Sequence, residues 1–371
     1  MRWKNFTVAT FVFLFVGVAF FGLNSSNAQQ TSPSPANNAK AALSPTVSPT
    51  PETVEEDDEI IRIDTEAVNV LFTAHDKSRR LLTDLKQADV RIFEDGQPHE
   101  ITEFTRQIDL PLSLAILIDT SASQERTLPE ERAAAKSFVQ SVIRPAKDEV
   151  SIVSFTGETT LEQGMTNNVA RLIRAIDRVE FVPPSGYLGG GVIAGGTPPI
   201  SGDNQTVQGS TAIWDAIWIT SEEVLKTSPE KTRRAIILLS DGVNTFGSKK
   251  FDDAVQAALR SEAVIYAVGV GDDMMGGVDE GVLKRLTERT GGRAFFPRDE
   301  AALRKAFTQI QIELRSQYLI AYQPSNQKRD GSYRKIQIQI VNQELAKQKV
   351  SLNHRQGYFA RTESGQKPAT K

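Results

Sequence analysis

Residues 112–123 read LSLAILIDTSAS, and residues 235–242 read AIILLSDG. Each is an apolar run too continuous for a strand with one face in water, and each stops at an aspartate set among small residues. Strands of this kind belong to parallel sheets that helices cover on both faces. Val150 to Phe155 and Val264 to Val270 have the same character. Helical spacing fills the gaps. Pro129 suits a first helical turn, with Phe138 and Val142 four apart before Pro145. Phe251, Val255 and Leu259 share one helix face, and Leu303, Phe307, Ile310 and Leu314 share another. Strand and helix alternate, which predicts a doubly wound, mostly parallel α/β sheet with helices on both faces from about Pro111 to Arg315.

Ligands of such sheets bind beyond the carboxyl ends of the strands, where strand order reverses. The spacing places Asp119 and Asp241 at two strand ends on that rim, with Ser121 and Ser123 on the loop after the first. Gly209-Ser210-Thr211 opens the stretch AIWDAIWITSEEVL, which puts a third hydroxyl at a helix start. Oxygen donors suit hard divalent cations, and Mg²⁺ takes an octahedral shell that usually retains water. Ser121, Ser123 and Thr211 offer hydroxyls, Asp119 braces them or holds a metal-bound water, and Asp241 balances charge from the opposite strand. Neutral hydroxyls leave the ion electrophilic, so a carboxylate from another molecule completes the shell favourably.

These residues resemble the metal-ion-dependent adhesion site of von Willebrand factor type A domains. Asp119, Ser121 and Ser123 match its first element, Thr211 its second and Asp241 its third. The resemblance implies a six-stranded sheet of order 3-2-1-4-5-6 with one antiparallel strand. It also implies Mg²⁺- or Mn²⁺-dependent binding of a protein partner that presents an Asp or Glu carboxylate. More narrowly, the leader and β-rich flanks resemble the secreted bacterial VWFA-related domain proteins. Gln124-Glu125-Arg126-Thr127 departs from the acidic residues that integrin β-type relatives carry after the first motif, which puts their adjacent regulatory cation site in doubt.

Outside the α/β unit, Arg2 and Lys4 precede an uncharged apolar stretch from Phe6 to Leu23, and Ser26-Asn27-Ala28 has small residues where a signal peptidase reads. Residues 1–28 are therefore expected to be an export signal cleaved after Ala28, with an uncleaved anchor as the rival. Both place the rest of the chain outside the cytoplasm, secreted, periplasmic or on the cell envelope. Residues 29–59, rich in Pro, Ser and Thr and then acidic, read as a disordered linker. Residues 60–109 and 316–360 read as β-rich flanks. Val68, Val70 and Phe72 alternate, as do Ile336, Ile338 and Ile340, with tight-turn signals at Asp95-Gly96 and Asp330-Gly331. Each flank is small for a core of its own. Together they have the length of one β-sandwich, with the α/β unit of residues 110–315 inserted between them and a disordered tail over residues 361–371.

The composition excludes several classes. With no cysteine, disulfides, thiolate metal sites and cysteine nucleophiles are impossible. A net charge of −3 gives no support to binding nucleic acid. The three histidines, His75, His99 and His354, lie outside the α/β unit, and neither a G-x-S-x-G elbow nor an H-E-x-x-H helix is present. A non-enzymatic binding module of adhesion or assembly is therefore expected, with no catalytic residues. A metal-dependent phosphohydrolase, in which Asp119 is a nucleophile, and a structural envelope protein with a loop-stabilising metal are the alternatives. The long Gly-rich segment 183–209 and the loop carrying Met274 and Met275 should lie on the same rim. The first reads as a partner-recognition loop through Tyr187, Leu188, Val192 and Ile193, with a disordered insertion as the alternative, and the second as a solvated loop, with partner contact through its methionines as the alternative.

Overall fold

A computed structural model describes residues 67–107, 110–183, 187–189, 192–193, 209–229, 232–271 and 276–362. The leader, the linker, nearly all of the tail, most of the Gly-rich segment and Met274-Met275 lie outside the described residues. Among the described residues no helix is long and apolar enough to cross a membrane.

In chain order, the N-terminal strands are β1 (Val68–His75), β2 (Val90–Glu94), β3 (Gln97–His99) and β4 (Ile101–Gln107). The α/β unit follows with β5 (Leu112–Asp119), α1 (Leu128–Val142), β6 (Glu149–Phe155), β7 (Thr159–Thr166), α2 (Val169–Arg178), β8 (Tyr187–Gly189), β9 (Val192–Ile193) and α3 (Ile213–Ile219). It continues through β10 (Arg233–Ser240), α4 (Phe251–Arg260), β11 (Ala263–Gly269), α5 (Glu280–Thr290), β12 (Ala294–Phe295) and α6 (Glu300–Arg315). The chain closes with β13 (Gln317–Tyr322), β14 (Tyr333–Ile340), α7 (Gln343–Lys347), β15 (Ser351–His354) and β16 (Gly357–Phe359).

The central sheet has the order β12-β11-β10-β5-β6-β7, parallel throughout except for β7, which runs antiparallel to β6. Counted along the α/β unit this is the 3-2-1-4-5-6 order that the resemblance implied. Every residue of β5 is buried, and the two-residue period of a strand explains why. Leu114, Ile116 and Ile118 join a cluster with α1, α2 and α6, whereas Ala115 and Leu117 join one with α3, α4 and α5. In β10, Ala235, Ile237 and Leu239 follow the first set, and Ile236 and Leu238 the second. Strand order reverses between β5 and β10, so their carboxyl ends flank the switch point.

The helix leading from Thr211 begins at Ile213, with Ala212 as its cap, so Thr211 lies just before the helix start. From Thr220 to Leu225 it continues as a wider π-helical turn.

The flanks interleave. One sheet has the order β15-β1-β13-β4 and the other β16-β14-β2-β3, so each takes strands from both ends of the chain. Val70, Phe72, Ile320 and Tyr322 from the first meet Ile92, Ile336 and Ile338 from the second in one apolar core. Two packed sheets around a shared core are a β-sandwich. The Asp95-Gly96 signal closes the β2–β3 hairpin, with both residues at positive φ (47° and 82°) as a type I′ turn requires. Asp330-Gly331 lies between β13 and β14 with Gly331 at positive φ (69°), but those strands enter different sheets and do not pair.

The joint between sandwich and α/β unit is tight. Only Ser316 separates α6 from β13. Arg315 pairs with the buried Asp148 and donates to the Val142 carbonyl (2.7 Å), while Arg233 donates to the Leu314 carbonyl. Glu313 accepts from Arg293 (2.8 Å) and lies 3.2 Å from His75 Nε2, a side chain of the sandwich. Asp148 is also held by Arg144 and by the Leu112 amide, 3.0 Å each. Burial alone raises its carboxyl, but Arg144 and Arg315 outweigh this and bring it down to about 2.

Candidate metal centre

Asp119 is the last residue of β5 and is fully buried. Its Oδ1 accepts the Ser121 amide (3.0 Å) and its Oδ2 accepts the Ser240 hydroxyl (2.7 Å). Both oxygens thus brace the loop after β5 against the end of β10. The Gly242 amide in turn donates to Ser240 Oγ (3.1 Å), so the strand ends are laced together across the switch point.

The Ser121 and Ser123 hydroxyl oxygens lie 3.3 Å apart. Two neighbouring ligands of an octahedral Mg²⁺ shell sit about 3.0 Å apart, given metal–oxygen distances of about 2.1 Å. The hydroxyl pair therefore fits an edge of such a shell with a small adjustment. Gln124, fully buried, fixes this arrangement from behind by donating to Ser123 Oγ and to the Val270 carbonyl, 3.3 Å each.

Asp241 directly follows β10. Its Oδ1 accepts the Val243 amide (2.9 Å), and the Ser123 hydroxyl is a further partner of its carboxylate. Thr211 is buried on the same rim and is tied to both sides of it. Its amide donates to Thr245 Oγ1 (2.8 Å), and its carbonyl accepts from the amides of Thr245 (2.9 Å) and Phe246 (3.1 Å). The next residue, Ala212, donates to the Thr156 carbonyl (2.7 Å) just past β6. The fold thus brings all five sequence-derived residues to one rim, directly linking Asp119, Ser121, Ser123 and Asp241 and anchoring Thr211 beside them.

Among the described residues no Lys, Arg or His forms a salt bridge with Asp119 or Asp241. Burial, with the charge of Asp241 second, pushes the Asp119 carboxyl up to about 7. Burial also raises Asp241, with Asp279 contributing. A dication would relieve both. Among the described residues there is no cluster of three or more His, Cys, Asp or Glu, so this hydroxyl-rich set differs in kind from an imidazole or thiolate site.

The sequence reasoning missed several supporting groups. Ser240 carries no signal beyond preceding Asp241. Glu131 lies on the first turn of α1. In the fold it is fully buried, and burial pushes its carboxyl up to about 8, with Thr127 opposing and Asp119 and Asp241 adding to the effect. Asp215, on α3, accepts from Ser248 N and Oγ and from Lys249 N (3.0, 2.9 and 3.1 Å), fastening the loop beyond Asp241.

A doubly wound α/β domain with hydroxyls and carboxylates gathered at its switch point is the class defined by this geometry. Family models described as von Willebrand factor type A domain match residues 114–244 and residues 202–309, and the chain carries a domain of that family. Among solved structures, it is similar to a von Willebrand factor type A protein from Catenulispora acidiphila, with 12% identity over 82% of this chain and 76% of that one and a TM-score of 0.44. An aerotolerance-related membrane protein from Bacteroides fragilis matches with 16% identity over 54% of this chain and 99% of that one, at 0.41. Proximal thread matrix protein 1 from the mussel byssus, in a form with a zinc-occupied MIDAS motif, matches with 19% identity over 59% and 49%, at 0.42. No curated protein matches the chain.

Proposed function

We propose that the protein is an exported, non-enzymatic binding module that uses a divalent cation, Mg²⁺ or Mn²⁺, to hold an acidic residue of a protein partner. Ser121, Ser123 and Thr211 would supply hydroxyl ligands, and Asp119 and Asp241 would balance the charge and orient those hydroxyls. When bound, the ion supplies a partly desolvated positive charge to which a carboxylate is attracted far more strongly than in bulk water. The observation that carries this reading is the pairing of the Ser121 and Ser123 hydroxyls at 3.3 Å beside two buried carboxylates that form no salt bridge among the described residues. Both Asp119 oxygens are occupied by donors, which favours a bracing role over a nucleophilic one. Export rests on the apolar leader and its Ser26-Asn27-Ala28 site.

The test is capture of partners from the native envelope fraction on immobilised protein, with Mg²⁺ in one arm and chelator in the other. A partner retained only with Mg²⁺ is then scanned by replacing its Asp and Glu residues with Ala. At least one acidic substitution should weaken binding more than about tenfold, or about 1.4 kcal/mol. If none does, direct carboxylate coordination is the wrong picture.

A further inference from the structure

Thr127 stands at the N-terminal cap of α1, yet its side chain makes no capping hydrogen bond to the helix. A threonine in that position ordinarily accepts from an amide of the first turn. Here its hydroxyl donates to Gln124 Oε1 at 2.8 Å, with the Gln124 carbonyl farther off at 3.4 Å. The Gln124 side chain is fully buried, and its partners fix which way the amide faces. The Val270 carbonyl can only accept, so the NH₂ group is the end 3.3 Å from it, and the same nitrogen lies 3.3 Å from Ser123 Oγ. The amide oxygen is left for Thr127, which must be the donor. Main-chain bonds hold the segment in place, from the Gln124 amide to the Ser121 carbonyl (3.0 Å) and from the Thr127 amide to the Gln124 carbonyl (3.2 Å).

The Ser123 hydroxyl has one proton and two lone pairs. Its proton goes to the Asp241 carboxylate, which accepts. Gln124 takes one lone pair, and the other is left for a cation. Thr127, Gln124, Ser123 and Asp241 thus form a chain in which each side chain donates to the next. We infer that Thr127 is a positioning residue for the cation, acting through Gln124 to fix the Ser123 hydroxyl so that a single lone pair faces the ion. This rests on the proposed function above and extends the metal centre to a side chain two hydrogen bonds away from Ser123. Without the Thr127 proton, the Gln124 oxygen becomes a buried acceptor with no donor, a cost the amide escapes only by leaving Val270 and Ser123.

Thr127→Val removes the hydroxyl and keeps the shape, Thr127→Ser keeps the hydroxyl, and Gln124→Met keeps the length and removes the amide. Each purified full chain, with the double variant Thr127→Val and Gln124→Met, would be titrated with Mn²⁺ by calorimetry, and its melting temperature taken in chelator. Groups that orient metal ligands typically set affinity by tenfold or more, and Thr127 stands one bond farther out. Gln124→Met should weaken Mn²⁺ binding about tenfold and Thr127→Val about fivefold, whereas Thr127→Ser should stay within about twofold of the wild type. The double variant should bind no more weakly than Gln124→Met alone, because Thr127 acts only through Gln124, whereas two independent structural losses would add. Wild-type affinity in Thr127→Val, an equal loss in Thr127→Ser, or additive losses in the double variant would overturn the positioning role and leave the metal reading standing. If Gln124→Met does not fold, the Thr127→Val and Thr127→Ser pair decides alone. Absence of Mn²⁺ binding in the wild type would overturn the metal reading and the positioning role with it.

Discussion

Replacing Asp119 with Asn should make the cation-free protein more stable at pH 8 and less responsive to Mg²⁺. Asp119 is held up to about 7 in the folded chain, against an ordinary value of 3.8, chiefly because it is buried and then because Asp241 lies near. The folded state therefore keeps a proton that the unfolded chain gives up. Stability from this group is present in full below about pH 4 and is lost as pH rises to about 7, at about 1.4 kcal/mol per pH unit. Over the roughly three units between those values the loss is about 4 kcal/mol at most. A cation at the centre substitutes for the proton, so saturating Mg²⁺ should restore much of that stability at pH 8. The amide of the Asp119→Asn variant has no such proton to lose, and the cation-free variant should melt above the cation-free wild type at pH 8, by up to roughly 10 °C for a unit of this size. At pH 4.5 the order should narrow or reverse, because there the wild-type acid is protonated and keeps both hydrogen bonds. Differential scanning calorimetry from pH 4.5 to 8, with chelator and with Mg²⁺, reads all four cases. A wild-type melting temperature parallel to that of the variant across the range, or equal stabilisation of both by Mg²⁺, would refute the reasoning.

Asp148→Asn should destabilise the chain by about 3 kcal/mol in denaturant unfolding, because it leaves Arg144 and Arg315 with an uncharged partner in a buried site. With Asp148 at about 2, its stabilisation of about 2 kcal/mol is present above about pH 4 and lost as pH falls towards 2, so the variant should show a shallower acid transition. Gly271→Ala places a Cβ 2.9 Å from the Asp241 Cβ; it should weaken Mn²⁺ binding about tenfold in calorimetry with a smaller change in melting temperature than Asp148→Asn. Hydrogen exchange with Mn²⁺ and a carboxylate ligand should change protection in α6 from Leu303 to Leu314 as well as on the rim, because α6 is locked to β13 and to His75 of the sandwich. N-terminal sequencing of the exported protein should begin at Gln29, and an intact leader would favour the anchor instead.

The central sheet was legible because burial on both faces leaves a strand no polar positions: β5, β6, β10 and β11 announce themselves as apolar runs. The helices facing them were legible where apolar residues keep helical spacing, as in α1, α4 and α6. Strand β7 went unread because it is an edge strand with no fully buried residue, and β12 because two residues carry no period. Helix α5 has few apolar residues and is defined by its Asp279 cap and Gly291 stop. In the site, the five named residues were legible because their types and order survive as motifs. The bracing groups were not, since Ser240, Gln124 and Asp215 act through contacts between residues 33 to 146 positions apart. The joint at Glu313, His75 and Arg293 was hidden for the same reason, as His75 and Glu313 are 238 residues apart.

The most direct test of the account is calorimetric titration of Mg²⁺ and Mn²⁺ into the purified protein and into its Ser121→Ala and Asp119→Ala variants, with circular dichroism to check that each is folded. The wild type should bind one ion per chain, and both variants should lose measurable binding while retaining the wild-type spectrum. Unchanged affinity in the two folded variants, or no binding by the wild type, would contradict the assignment of this rim as a metal centre.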